Sequence, residues 1–120
     1  MRISRLFLAS AIAAAFSACG GSKSPTTPTT PTGTIVSIVS GSSTLTTTAY
    51  SPNPVNIAVG GTVSWMNNDN TAHTATANNG GFDSGNIAPG ASFSRTFTTA
   101  GSFPYKCTIH PGMVGTVNVQ

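Results

Sequence analysis

From Ile35 to Gln120, glycine, proline and Asn-Gly signals cut the chain into apolar segments of about five to seven residues. Helices of globular domains run about 8–20 residues and repeat an apolar side chain every third or fourth position, a period that no window here sustains. Short strands joined by turns remain. The expected strands are Ile35–Ser40, Val55–Val59, Thr62–Asn67, Ala72–Ala77, Ser92–Thr98, one carrying Phe103, Tyr105 and Cys107, and Met113–Val119. Ser51-Pro-Asn-Pro54, Gly60-Gly61 and Ala88-Pro-Gly90 separate them, and Asn78-Asn-Gly-Gly81 is a hairpin signal. Val63 and Trp65 share one face of the third strand. Seven or so strands in about 86 residues suit an all-β fold, an antiparallel Greek-key β-sandwich. Two residues break the pattern. Arg95 has the parity of Phe93 and Phe97, so it either snorkels near a sheet edge or marks a bulge. Pro104, inside a strand, calls for an edge or a bulge.

Residues 1–18 read as an address rather than as part of this fold. Arg2 and Arg5 precede the apolar run Leu6–Phe16, which is too short to span a bilayer and suits a signal-peptide core. Ser17 and Ala18 then lead into Cys19, which resembles the lipobox of bacterial lipoproteins, with Phe16 where leucine is usual. That resemblance implies cleavage before Cys19, acylation of its thiol and a stable lipid anchor. An ordinary secreted protein cut near Ala18 is the alternative. Residues 19–34 form a tether: proline recurs at 25, 28 and 31 among threonines, and the stretch has no apolar face. In polyproline II form, at about 3.1 Å per residue, it would reach roughly 40 Å. Residues 35–120 are the folded domain.

Charge excludes several functions. Beyond the signal the chain carries Lys23, Arg95 and Lys106 against Asp69 and Asp83, with no basic run to track a phosphate backbone, so no nucleic acid is expected as a partner. Two acids in the whole chain poorly supply hydrolysis by paired carboxylates.

Cysteine usage points elsewhere. With Cys19 lipidated, Cys107 is the one thiol left in an oxidising compartment. Cys107-Thr-Ile-His110-Pro-Gly-Met113 puts three soft or borderline ligands within seven residues, and His73 is the second of only two histidines. Singly, such a cysteine is most often a small buried hydrophobe and such a histidine a surface residue. Together, two His, one Cys and one Met make the trigonal, axially weak set that suits one type 1 copper. Zinc is the rival, but a structural zinc site wants four strong ligands, and only three stand beside the thioether. Cys107 would end one strand and Met113 start the next, so their loop can curl around a single ion, with His73 supplied by a neighbouring connection.

Residues 50–120 resemble the cupredoxins of the plastocyanin, pseudoazurin and amicyanin group. The resemblance is carried by Gly61-Thr-Val-Ser-Trp-Met-Asn-Asn68, His73, Gly81-Phe-Asp-Ser-Gly85, Pro89-Gly90 and Gly101–Met113 followed by Gly115-Thr-Val117. The two-residue gap between His110 and Met113 is the short, amicyanin-like form. The resemblance implies a one-electron carrier cycling Cu⁺ and Cu²⁺, with His73, Cys107 and His110 as ligands and Met113 axial. It implies that electrons leave through His110, with Pro111 and Gly112 forming a small apolar patch for transient redox partners. Thr74 stands where the family commonly has Asn. Its N–H is expected to donate to the Cys107 sulfur, and it and Thr108 sit just outside the ligand set. The side-chain tie that the Asn makes between the ligand loops is not carried over to Thr74. Lys106 replaces the plant family's exposed tyrosine before the cysteine, and the acidic partner surface is absent.

The favoured function is therefore a monomeric, lipid-anchored electron shuttle of the cell envelope, facing the periplasm or the outer face of the membrane, and not an enzyme. A copper delivery or storage protein and a metal-free surface module are the alternatives.

Overall fold

The computed structural model, which describes residues 33–120, contains eight short strands. They are β1 (Thr34–Ile38), β2 (Tyr50–Ser51), β3 (Val55–Ile57), β4 (Thr62–Asn67), β5 (Thr76–Ala77), β6 (Ser92–Thr96), β7 (Gly101–Lys106) and β8 (Val114–Val119). A 3₁₀ turn, Ser42–Thr44, lies between β1 and β2. The signal segment, Cys19 and nearly all of the tether lie outside the described residues; of the tether, only Gly33 and Thr34 are described.

Two four-stranded sheets pack face to face, one ordered β2-β1-β4-β6 and the other β3-β8-β7-β5. The sandwich matches the expectation, but its sheets are mixed rather than wholly antiparallel. β1 runs parallel to β4, with Val36 opposite Trp65, and β3 runs parallel to β8, with Val55 opposite Val117. Each parallel pair joins strands that are not consecutive in the chain. Direct hairpins force antiparallel pairing only where strands follow one another through tight turns, as β7 and β8 do.

Val36, Ile38, Val63 and Trp65 of one sheet face Tyr105, Val117 and Val119 of the other, all buried. Trp65 is the hub. Its indole lies 5.3 Å from the Tyr105 ring, 5.5 Å from Phe82 and 5.8 Å from Phe93, centroid to centroid. Gly115 is opposite Tyr105 in the β7–β8 ladder, and a Cβ there would come within 2.5 Å of the Tyr105 hydroxyl, so this glycine makes room for the phenol.

Arg95 sits at a sheet edge, whereas Pro104 lies in the inner strand β7, just past the end of its short neighbour β5, with no bulge in its pairing to β8. Arg95 belongs to the outermost strand β6, whose register against β4 is unbroken, and no bulge occurs there. Its guanidinium lies over Phe82 at 5.3 Å and Phe97 at 5.6 Å, so it keeps core-side parity while its charge reaches water. The Pro104 carbonyl accepts from Asn78 N–H at 3.0 Å, on the side where β5 pairs only with Tyr105 and Lys106. Its missing N–H therefore costs no ladder bond. The strand expected over Ala72–Ala77 shrinks to Thr76–Ala77, because His73 and Thr74 are committed to contacts described below.

Candidate metal centre

Three connections meet at one end of the sandwich. The first runs from β4 to β5 and carries His73. Asn67, the last residue of β4 and fully buried, organises it: Nδ2 donates to the carbonyls of Thr71 (2.8 Å) and Ile87 (2.9 Å), while Oδ1 accepts Asp69 N–H at 2.9 Å. His73 then exchanges backbone bonds with Ile87 in both directions, at 3.2 and 2.7 Å. The second connection is the loop from β7 to β8. Cys107 N–H donates to Met113 O at 3.1 Å and Met113 N–H to His110 O at 2.9 Å, closing a tight loop over residues 107–113. Cys107 directly follows β7 and Met113 directly precedes β8, in line with the spacing argument.

These loops bring His73, Cys107 and His110 together, with one ligand atom from each lying within 4.8 Å of the others. Cys107 Sγ is 3.8 Å from His73 Nδ1 and 3.8 Å from His110 Nδ1. His73, Cys107 and Met113 are fully buried, while His110 is half-buried. Cys107 is a free thiol. The fit to a metal is direct. Nitrogen and sulfur bonds of about 2.0 and 2.3 Å, typical of a first-row divalent ion, place their ends about 3.8 Å apart when opened by about 120°. That is the sulfur-to-nitrogen spacing found on both sides.

Thr74 ties the two ligand loops. Its N–H donates to Cys107 Sγ at 3.3 Å, as expected. Its side chain also makes the link that was not carried over from the resemblance: Oγ1 accepts Thr108 N–H at 2.9 Å and lies 3.2 Å from Thr108 Oγ1. Threonine manages this because the loops approach closely enough for a one-carbon reach. Tyr50 braces the same residue, donating its phenol to Thr74 O at 2.6 Å. Burial, with Cys107 and Tyr105 nearby, pushes the Tyr50 phenol well above its ordinary range and keeps it a donor.

The third connection, after β1, supplies residues that the sequence reading passed over. His73 Nε2 lies 2.8 Å from Asp69 Oδ2 and 3.1 Å from Ser42 Oγ. Ser42 Oγ donates to Asp69 Oδ2 at 3.2 Å, and Gly41 N–H donates to Asp69 Oδ1 at 3.0 Å. The hydrogen bond from His73 holds the Asp69 carboxyl well below the usual carboxylate range; the N–H groups of Gly41 and Asn70 and the Ser42 hydroxyl add to this, against the opposing pull of burial. One signal for it existed: Asp69 is one of only two acids in the chain and stands four residues before His73.

At the surface, Pro111 and Gly112 are exposed, and Ile109 beside them is 45% exposed. Together they rim His110 with apolar surface.

Residues 37–120 match the family of copper-binding proteins of the plastocyanin/azurin type. A plastocyanin of Scenedesmus fuscus is 36% identical over 84 residues, spanning 59% of this chain and 86% of that protein. The solved structure of a purple cupredoxin from Nitrosopumilus maritimus is 33% identical with a TM-score of 0.67, covering 72% of this chain and 99% of that one. A reduced, Cu(I) form of an amicyanin variant is 28% identical with a TM-score of 0.62, over 76% of this chain and 85% of its own. The likeness spans nearly the whole sandwich and includes the loops that gather the two histidines and the cysteine, and the chain belongs to the plastocyanin/azurin family of copper-binding proteins: it is a blue copper electron-transfer protein.

Proposed function

We propose that His73, Cys107, His110 and Met113 hold one type 1 copper, and that the protein carries single electrons between redox partners in the cell envelope from a lipid anchor at Cys19. The observation that carries the ligand assignment is the pair of 3.8 Å separations from the buried Cys107 sulfur to two imidazole Nδ1 atoms. Bound there, copper supplies a one-electron couple between Cu⁺ and Cu²⁺. The chain's part is to hold one geometry for both states. Cys107 offers a thiolate shielded from water, with Thr74 N–H on its sulfur. His73 is locked from behind and His110 from below, by the loop-closing bond that its carbonyl accepts from Met113. Preset ligands need little rearrangement when the charge changes.

His110 is the exit. It is the one member of the cluster that reaches solvent, and Ile109, Pro111 and Gly112 give a partner a small uncharged surface to approach. Small apolar patches suit brief encounters. Four protein ligands would leave no open position for a substrate, which supports a carrier over an enzyme. Delivery or storage is the weaker reading, because exchange wants accessible ligands and Cys107, His73 and Met113 are sealed. Voltammetry of the copper-loaded chain decides between them. A reversible one-electron wave with fast self-exchange supports the carrier; copper that leaves readily to a chelator, with no reversible wave, supports delivery.

Met113 would be the weakest of the four ligands, a thioether that tunes the couple more than it retains the ion. Met113→Leu is expected to keep copper bound and to raise the reduction potential, by about 59 mV for each tenfold loss of Cu²⁺ affinity relative to Cu⁺. An unchanged potential would leave Met113 as a core side chain only.

The anchor reading rests on residues 1–34: the Arg-led apolar run, the small residues before Cys19, and the proline-spaced tether. Cys19→Ser is expected to release the protein from the membrane fraction with its colour unchanged. Retention at the membrane in that variant would overturn the lipoprotein assignment.

A further inference from the structure

The carboxylate behind His73 does more than fill a hole. Asp69 Oδ1 accepts two backbone N–H groups, from Gly41 at 3.0 Å and Asn70 at 2.9 Å. Oδ2 accepts Ser42 Oγ–H at 3.2 Å and faces His73 Nε2 at 2.8 Å. Gly41, Asn70 and Ser42 all donate to this carboxylate, and an ionised carboxylate offers Nε2 only an acceptor, which favours the His73 tautomer with its proton on Nε2. The lone pair is thereby placed on Nδ1, the atom 3.8 Å from Cys107 Sγ. Gly41 contributes through its backbone: at φ 75° it turns the chain into the 3₁₀ segment, and its N–H reaches Oδ1.

Resting on the ligand assignment above, we infer that Asp69, oriented by Gly41, Asn70 and Ser42, is a positioning residue that sets the tautomer of His73 and holds the reduction potential of the copper centre down. The physical basis is that a carboxylate drawing on the Nε2 proton raises the basicity of Nδ1, and a more basic ligand favours Cu²⁺ over Cu⁺.

The geometry makes an isosteric replacement unusually informative. In Asp69→Asn the two backbone N–H groups require an oxygen at the Oδ1 position. The new amide nitrogen must then occupy the Oδ2 position and donate toward His73 Nε2. The ring can accept there only by moving its proton to Nδ1, the metal-facing atom. A change of one atom, with no change of volume, therefore turns the ligand nitrogen from acceptor to donor. Ser42→Ala acts in the opposite sense. Ser42 donates to Oδ2 and its oxygen, 3.1 Å from Nε2, shares the ring proton, so its removal leaves the carboxylate the sole and better acceptor for His73.

The test uses the full chain and two readouts. In the metal-free protein, nitrogen-15 NMR of the imidazoles is expected to show His73 as the Nε2–H tautomer, and as Nδ1–H in Asp69→Asn. In the copper-loaded protein, Asp69→Asn is expected to weaken Cu²⁺ relative to Cu⁺ by about 10- to 100-fold, raising the potential by about 59 mV per tenfold. Ser42→Ala is expected to lower the potential. A merely structural role would leave the tautomer alone and move both variants in one direction, and either result overturns the inference. If Asp69→Asn fails to fold, the sign of the Ser42→Ala shift decides alone: downward supports the inference, unchanged or upward refutes it. If the chain takes up no copper, the ligand assignment fails, while the metal-free tautomer measurement still tests the part played by Asp69.

Discussion

Replacing Cys107 by serine is expected to abolish the intense visible band of the copper-loaded chain while leaving the sandwich folded. The band of such a centre comes from the covalent copper–sulfur bond, and a serine hydroxyl neither ionises near neutral pH nor supplies the soft donor. The fold should tolerate the change. Serine is smaller by a fraction of an atom, and its oxygen inherits the Thr74 N–H that now reaches Cys107 Sγ at 3.3 Å. The new hydroxyl is buried but partnered, so the cost is about 1 kcal/mol. Absorption spectra with and without copper, beside a circular dichroism spectrum, check both halves. A variant that stays coloured would put the chromophore somewhere other than Cys107.

Trp65→Ala is expected to be the most damaging single change in the core. The indole is fully buried in β4 and makes ring contacts with Tyr105 of the opposite sheet, with Phe82 of the loop after β5, and with Phe93 and Phe97. Removing it takes out the ring on which these others converge, and the sheets cannot close the gap without breaking their registers. Large-to-small changes of this kind cost about 3–5 kcal/mol. In a domain of this size each kcal/mol moves the midpoint by about 4–8 °C, so a fall of at least about 12 °C is expected in thermal unfolding of the metal-free chain. A shift of only a few degrees would mean that the aromatic cluster is less central than its geometry indicates. Trp65→Phe, which keeps a ring in the cluster, should lose distinctly less.

Where strands carry their own punctuation, the sequence reading and the structure coincide. Thr62–Asn67, bounded by Gly61 and a polar loop, is a strand residue for residue. β8 starts one residue later than expected, and β7 carries Phe103 and Tyr105 as expected but begins two residues earlier, at Gly101, and stops just short of Cys107. Pairing is a different matter. Alternation tells which face a side chain takes and not which strand lies beside it, so the two parallel pairings were not readable. β2, with two residues, and the 3₁₀ turn over Ser42–Thr44 are too short to show any period. Residues 72–75 looked like strand because Ala72, Thr74 and Ala75 around His73 are apolar or β-branched. Their backbone and side-chain groups serve instead the loop contacts that seat His73 and Thr74.

The site divides the same way. His73, Cys107, His110 and Met113 were legible because metal-binding residue types are rare in this chain and three of them share one loop. Asp69 was not, although it is one of two acids. An i,i+4 spacing signals contact on a helix, and here it spans an irregular loop whose fold depends on the Asn67 side chain and the Gly41–Ser42 turn. Ser42 and Tyr50 were equally hidden. They approach the centre from the turn after β1 and from β2, more than twenty residues away in the chain, and a serine or a tyrosine in a Thr/Ser-rich sequence carries no signal of its own.

Copper titration of the chain, followed by visible absorption and electron paramagnetic resonance, bears most directly on the central claim. The expected result is an intense copper–thiolate band that grows in proportion to added Cu²⁺, saturates at one copper per chain, bleaches on reduction and returns on oxidation. A chain that stays colourless, or that binds copper without a thiolate band, would contradict the assignment of His73, Cys107, His110 and Met113 as a blue copper centre.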